Sequence, residues 1–202
     1  MAKVILLNGS SSAGKTTLAT YLQQLLPEPY QHIGLDQFRD GMPMRVRGLN
    51  APIGSEGARG LNVVPGTLEG QPVTHIEFGD YGEKVLGLMR KTVAAFAVAG
   101  IPVIVDDLLF KTAYLRDYAR TLDTAQTWLI GVRCDLADVK TREANRLGRF
   151  PGTAIAHYET VHDHGVTYDA EVNTSLLSPR AAALEIIEAL ARPPRALRQA
   201  PP

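Results

Sequence analysis

Gly9, Ser10, Ser11, Ser12, Ala13, Gly14, Lys15 and Thr16 follow the pattern of a glycine, four free positions and then Gly-Lys-Thr. That spacing suits one task, the holding of a polyphosphate. Glycines let the backbone wrap closely, so successive N–H groups point at phosphate oxygens. The N-terminus of a following helix adds positive potential. Lys15 supplies a point charge to the outer phosphates, and the Thr16 hydroxyl can ligate Mg²⁺. Thr17, next along, belongs with the cradle. The alternative is a glycine-serine turn that merely starts a helix. It is outweighed by an apolar run before the motif, residues 3–8, and an amphipathic stretch after it, residues 15–26.

Carboxylates come next. Val103-Ile-Val-Asp106-Asp107 has the form of a buried strand ending in a Mg²⁺-side carboxylate, with Asp106 and Asp107 both candidates. The competing role is capping of the helix that follows. Asp36 lies just after a short apolar segment, residues 32–35, where a carboxylate can take a proton from an acceptor hydroxyl. Its competing role is to cap the turn over residues 37–40, and Asp40 is a weaker rival for the base. Arg142 and Arg146 are four apart, hence on one helical face. Arg149 follows Gly148 and precedes Phe150-Pro-Gly152, a stretch able to hinge. Phosphoryl transfer gains from arginines that close over developing charge. A solvated helix with Glu143 as a neighbouring partner is the plainer reading, and Arg133, at a strand end, can be structural.

Other suggestive residues carry less. His157, His162 and His164 do not have the spacing of a helical zinc pair and read as surface or packing residues. Cys134, the one cysteine, reads as a small buried residue and excludes an internal disulfide.

These groups need a frame that brings them together. Strands are expected at residues 3–8, 32–35, 101–105, 127–132 and 170–173. Helices are expected at 15–26, 81–99, 113–122, 136–147, 153–161 and 179–191. Strands alternating with helices imply a parallel sheet covered on both faces, with ligands beyond the carboxyl ends of the strands. Gly9 to Thr16, Asp36 and Asp106-Asp107 all fall at such ends. Residues 41–74 hold no period and are dense in glycine and proline, so they form a long excursion with room for a hairpin. Residues 192–202 are proline-rich and read as a disordered tail. At 202 residues the chain suits one domain, residues 1–192. It carries an acceptor-side insert near 41–78 and a lid near 142–153.

Basic and acidic residues number 21 each, so the formal charge is zero and no nucleic-acid footprint exists. No apolar stretch approaches the ~20 residues needed to span a bilayer, and no signal peptide is legible at the start. The expectation is a cytoplasmic protein, with a homo-oligomer left open.

The residues also resemble a family. The carriers are Gly9 to Thr16, Leu26-Pro-Glu-Pro29, Gly34-Leu-Asp36 with Met42-Pro43, and Val105-Asp-Asp107. Further on come Gly131-Val-Arg-Cys-Asp135, Arg142-Glu143, His164-Gly-Val and Tyr168-Asp-Ala-Glu-Val172. In this order they look like chloramphenicol phosphotransferase and its relatives. The resemblance implies a three-layer, kinase-like P-loop NTPase fold with a five-stranded parallel sheet, and use of ATP with Mg²⁺. It implies that Asp36 matches the catalytic base and Lys15 the phosphate-binding lysine. It places Arg142, Arg146 and Arg149 in the lid. Residues 44–78 are longer and differently composed than the drug-phosphorylating member suggests. The expected activity is transfer of the terminal phosphate of ATP to a small-molecule alcohol, chloramphenicol or its kind. One rival is a nucleoside or nucleotide kinase, for which Arg39, Arg45, Arg47 and Arg59 could bind an acceptor phosphate. Another is a nucleotide-binding regulatory module with little transfer.

Overall fold

The computed structural model describes residues 1–146 and 150–200. Strand β1 (Val4–Asn8) is buried at every position and runs through the phosphate loop into helix α1 (Lys15–Leu25). Strand β2 (Gln31–Gly34) leads into α2 (Leu35–Asp40). There the Gln37 side chain accepts from Gly34 N at 3.0 Å. Asp36 is a first-turn residue whose carboxylate pairs with Arg39 one turn on.

The excursion is more ordered than its composition suggests. Strand β3 (Arg47–Leu49) pairs with β4 (Leu61–Leu68), which forms a hairpin with β5 (Gln71–Phe78). Glu69 and Gly70 join the two with φ of 49° and 77°. Two left-handed residues in sequence are the turn that matches strand twist. A small satellite core of Met42, Val46, Leu61 and Val63 sits beneath this sheet, and Asn62 holds Ala51 through both its N–H and its carbonyl.

Helix α3 (Asp80–Val98), strand β6 (Val103–Asp107), helix α4 (Thr112–Thr121) and strand β7 (Thr127–Arg133) continue the alternation. Then come α5 (Leu136–Ala144), the short α6 (Thr153–Ala156), β8 (Ala170–Asn173) and α7 (Pro179–Ala189). The stretch expected as one helix over 153–161 is α6 followed by a 3-10 turn at Thr160–His162. The main sheet has five parallel strands in the order β2-β6-β1-β7-β8.

Period-two alternation explains the layers. Val4 and Leu6 of β1 face Leu86, Met89 and Val93 of α3 and Leu115 and Tyr118 of α4. Ile5 and Leu7 face Leu18 and Leu22 of α1 and Ala182 and Ile186 of α7. No helix of the described residues is long and apolar enough to cross a membrane.

The tail corrects the sequence reading over its described part. Ala196 and Leu197 are buried in the core. Asp169 accepts from Arg195 N and Ala196 N, and the Trp128 indole N–H donates to Arg192 O at 2.9 Å. Proline content suggested disorder, but two apolar side chains and satisfied amides anchor the segment.

Candidate active site

Strand register brings the candidate groups to one edge. Leu7 is level with Asp106, Asn8 with Asp107, and Gly34 with Asp106. Hence the phosphate loop, Asp36 and the β6 carboxylates all lie at the carboxyl ends of adjacent strands. In the loop, Ser12 has φ 63° and Gly14 φ 93°. Left-handed residues in such a turn are a feature of anion nests; here Ala13 N donates to Ser10 O and Ser11 N to His157 Nε2. Gly14 adopts its φ without cost, whereas Ser12 is held in a sparsely populated region.

Lys15 is nearly buried and donates to Gly9 O at 2.9 Å and Ser10 O at 3.0 Å. Its ammonium lies 3.7 Å from Asp106. The Thr16 hydroxyl donates to the other Asp106 oxygen at 2.5 Å. Alternation along β6 sends Asp107 to the opposite face. There it is 1% exposed, with its oxygens taken by Leu108 N at 2.7 Å and the Tyr118 hydroxyl at 2.8 Å. Burial raises the pKa of both Asp107 and Tyr118. Of the two sequence candidates, Asp106 faces Lys15 and Thr16, and Asp107 is a core partner of Tyr118. Asp106→Asn is accordingly expected to lower turnover by roughly 10²-fold or more while leaving folding intact. Asp107→Asn instead costs about 1–3 kcal/mol of stability, because an amide N–H₂ then meets the Tyr118 hydroxyl or the Leu108 amide. Paired denaturation and turnover measurements separate the two.

A cavity of about 750 Å³ joins these groups to a second half. It is lined by the loop, Thr17, Arg142, Arg146 and Thr174. Arg142 donates to the Thr174 hydroxyl at 2.9 Å and its carbonyl at 2.8 Å, which fixes its guanidinium over Gly14. Thr174, one residue beyond β8, was not singled out from sequence. Arg146 lies 4.0 Å from Asp36. Arg149, expected with them, lies outside the described residues. Arg133 is structural: it pairs with Glu171 at 2.6 Å and lies beside the Tyr168 ring.

The same cavity is lined by Asp36 and Arg39 and by the apolar Leu35, Ile76, Phe78, Leu108 and Phe110. Phe78 and Phe110 stack at 6.3 Å. Arg39 is engaged by Asp36 at 2.6 Å and by Asp40 at 2.8 Å. Arg45, Arg47 and Arg59 pair with Glu56, Asp40 and Asp80 and do not line this cavity.

Two features went unread in the sequence. Glu143 is buried and accepts from Gly152 N and Ala154 N rather than pairing with an arginine. His157 is no surface residue: it lines the cavity, and its Nε2 accepts from Ser11 N at 3.1 Å. Ser11 is 146 positions from His157, and the Glu143 partners, 9 and 11 positions on, are backbone amides that any residue type supplies, so spacing held no signal. His162 and His164 do pack, both edge-on to Tyr168, whose hydroxyl meets Asn8 at 2.7 Å. Among the described residues no group of three His, Cys, Asp or Glu could hold a metal.

Burial lowers the pKa of His157 from 6.5 to about 4, with Lys15 adding to the effect. Burial lowers His162 from 6.5 to about 4 as well, helped by Arg133, His164 and Lys15. A lowered pKa means that the unfolded chain binds more protons in that window. This stability is fully present above pH 6.5 and is lost as pH falls toward about 4. Denaturation midpoints should drop across that range, with a shallower slope in His157→Gln. An unchanged slope would speak against a buried neutral imidazole.

The fold and the site define a P-loop phosphotransferase of the kinase type. The chain belongs to the chloramphenicol phosphotransferase-like protein family, whose model matches residues 2–191. A Mycobacterium tuberculosis protein with the provisional name of an O-phosphotransferase is 29% identical over 196 residues, covering 92% of this chain and 81% of that protein. Solved structures agree in fold. A sugar kinase of Janibacter sp. superimposes with a TM-score of 0.65 at 14% identity, covering 95% of each chain. The APS kinase of Mycobacterium tuberculosis, in complex with AMPPNP and APS, gives 0.61 at 14% identity, covering 95% of this chain and 98% of that one. At these identities the likeness is one of fold.

Proposed function

We propose that this chain moves the terminal phosphate of ATP onto a hydroxyl of a small neutral molecule, a chloramphenicol-like compound first among them. The observation that carries this reading is the one cavity shared by the phosphate loop, Asp36 and a set of apolar side chains.

Loop amides and the Ser12 hydroxyl suit a polyphosphate. The Ser12 Oγ is buried without a hydrogen-bond partner among the described residues, and a phosphate oxygen would satisfy it. Lys15, Arg142 and Arg146 hold negative charge on the transferring group. Asp36 accepts the acceptor's hydroxyl proton and aims its oxygen in line. The new P–O bond to the acceptor forms as the bond to the ADP oxygen breaks, and the proton passes from Asp36 to solvent. Thr16 and Asp106 would hold Mg²⁺, a metal that keeps several waters and needs no all-protein cage. When bound, the ion neutralises charge on the outer phosphates.

A nucleotide kinase would need a free cation for the acceptor phosphate. The acceptor wall offers Arg39, which two aspartates already engage. A mass-spectrometric screen tests the acceptor, using ATP, Mg²⁺ and a panel of chloramphenicol, other hydroxyl antibiotics, nucleosides and nucleotides. Phosphorylated chloramphenicol or another hydroxyl antibiotic supports the reading. Phosphorylated nucleosides or nucleotides alone would replace it with the kinase rival, and tight ATP binding with no product would favour a regulatory module.

A further inference from the structure

The inserted hairpin and the arginine helix meet at a small joint. Glu143 is on α5 next to the cavity-lining Arg142, whereas Arg146, expected on the same helical face, lies just past the end of α5 at Ala144; the Glu143 carboxylate is engaged elsewhere. It accepts from Gly152 N at 2.9 Å and Ala154 N at 2.7 Å. The same short segment is gripped from the hairpin. Thr74 Oγ1 donates to Pro151 O at 2.7 Å, and Thr74 N donates to Gly152 O at 3.3 Å. β5 is the edge strand of its sheet, so the outward N–H of Thr74 is a natural docking point. The fit is close: Gly152 has φ 78°, and a Cβ there would lie 2.9 Å from Val73 Cα and 3.0 Å from Pro72 O. Directly after Thr74 come His75, Ile76 and Phe78, which line the acceptor end of the cavity.

A continuous path thus runs from the donor-side arginines, through Glu143 and Gly152, to Thr74 and the acceptor wall. We propose that Glu143 and Thr74 are positioning residues that make the acceptor wall follow the arginine helix, so that nucleotide and acceptor binding reinforce one another. This rests on the proposed reading of the cavity as a two-substrate site. Arginines drawn to a triphosphate steady α5, and the joint passes that order to β5. By linkage an acceptor on β5 then strengthens nucleotide binding by the same factor.

Hydrogen exchange on the whole chain tests the joint, with Mg²⁺ and a non-hydrolysable ATP analogue as probe. The variants are Thr74→Val, which removes the side-chain donor while keeping shape, and Thr74→Ser, which restores it. The analogue should slow exchange at residues 9–17 in all three proteins. It should slow exchange at residues 71–78 in the parent and Thr74→Ser by roughly two- to tenfold, the range one hydrogen bond supports. Thr74→Val should lose that second effect. Gly152→Ala, which pushes Val73 away, should lose it from the other side. Protection at 9–17 with none at 71–78 in the parent overturns the joint and leaves the nucleotide reading standing. Equal protection at 71–78 in the parent and Thr74→Val overturns it too. No protection at 9–17 overturns both.

Discussion

Asp36→Asn is expected to lower kcat by roughly 10²- to 10⁴-fold, the range for loss of a positioned general base, with nucleotide affinity close to that of the parent. The side chain lies in the first turn of α2, two residues past the strand end at Gly34. Gln37 accepts from the Gly34 amide there, and the Asp36 carboxylate pairs with Arg39. Arg39 meets one oxygen at 2.6 Å and Arg146 lies 4.0 Å from the other, which fixes the direction of the group toward the cavity. Asparagine keeps the size and still accepts a hydrogen bond from Arg39, but it cannot take a proton. Turnover and calorimetric nucleotide binding, measured side by side, separate chemistry from binding. Full turnover in Asp36→Asn would remove the base assignment.

Lys15→Ala should cost roughly 10²- to 10³-fold in kcat, as removal of one preorganised charge donor does, and should weaken nucleotide binding as well. The ammonium is held in place before any chemistry, by Gly9 O, Ser10 O and the nearby Asp106. Its loss takes one donor from Gly9 O, leaves Ser10 O with Ala13 N alone, and removes the cation beside Asp106. Lys15→Arg should not restore the rate, because a planar guanidinium cannot repeat the two carbonyl contacts of a compact ammonium. Comparing kcat with KM for ATP tests this. A variant that raises KM alone would make Lys15 a binding residue only.

The two halves of the site were unequally legible, for a physical reason. The donor half is local. A phosphate loop needs a strand, glycines, a lysine and a helix in one short run, so Gly9 to Thr16 could be read directly. The choice between Asp106 and Asp107 needed only the side-chain period of a strand, once the neighbours on each face were known. The acceptor half is assembled from distant segments. β4 carries Pro65 and Gly66 within the strand, which read as breakers although both lie beyond the stretch paired with β3. Asp36 stood out by position, but its wall of Phe78 and Phe110 comes from two separate elements. His157 and Ser11 are 146 positions apart, and Thr174 meets Arg142 across 32. No spacing rule links such pairs. The tail misled because composition favours disorder, whereas two buried side chains and Asp169 decide the matter.

Transfer itself can be tested with ATP labelled with heavy oxygen at the non-bridging positions of its γ-phosphate, in the presence of Mg²⁺ and an acceptor identified by the screen. Transfer to the hydroxyl predicts an acceptor whose added phosphate keeps every labelled oxygen, formed one-for-one with ADP and abolished in Asp36→Asn. ADP that accumulates with labelled inorganic phosphate, and with no labelled acceptor, would contradict it.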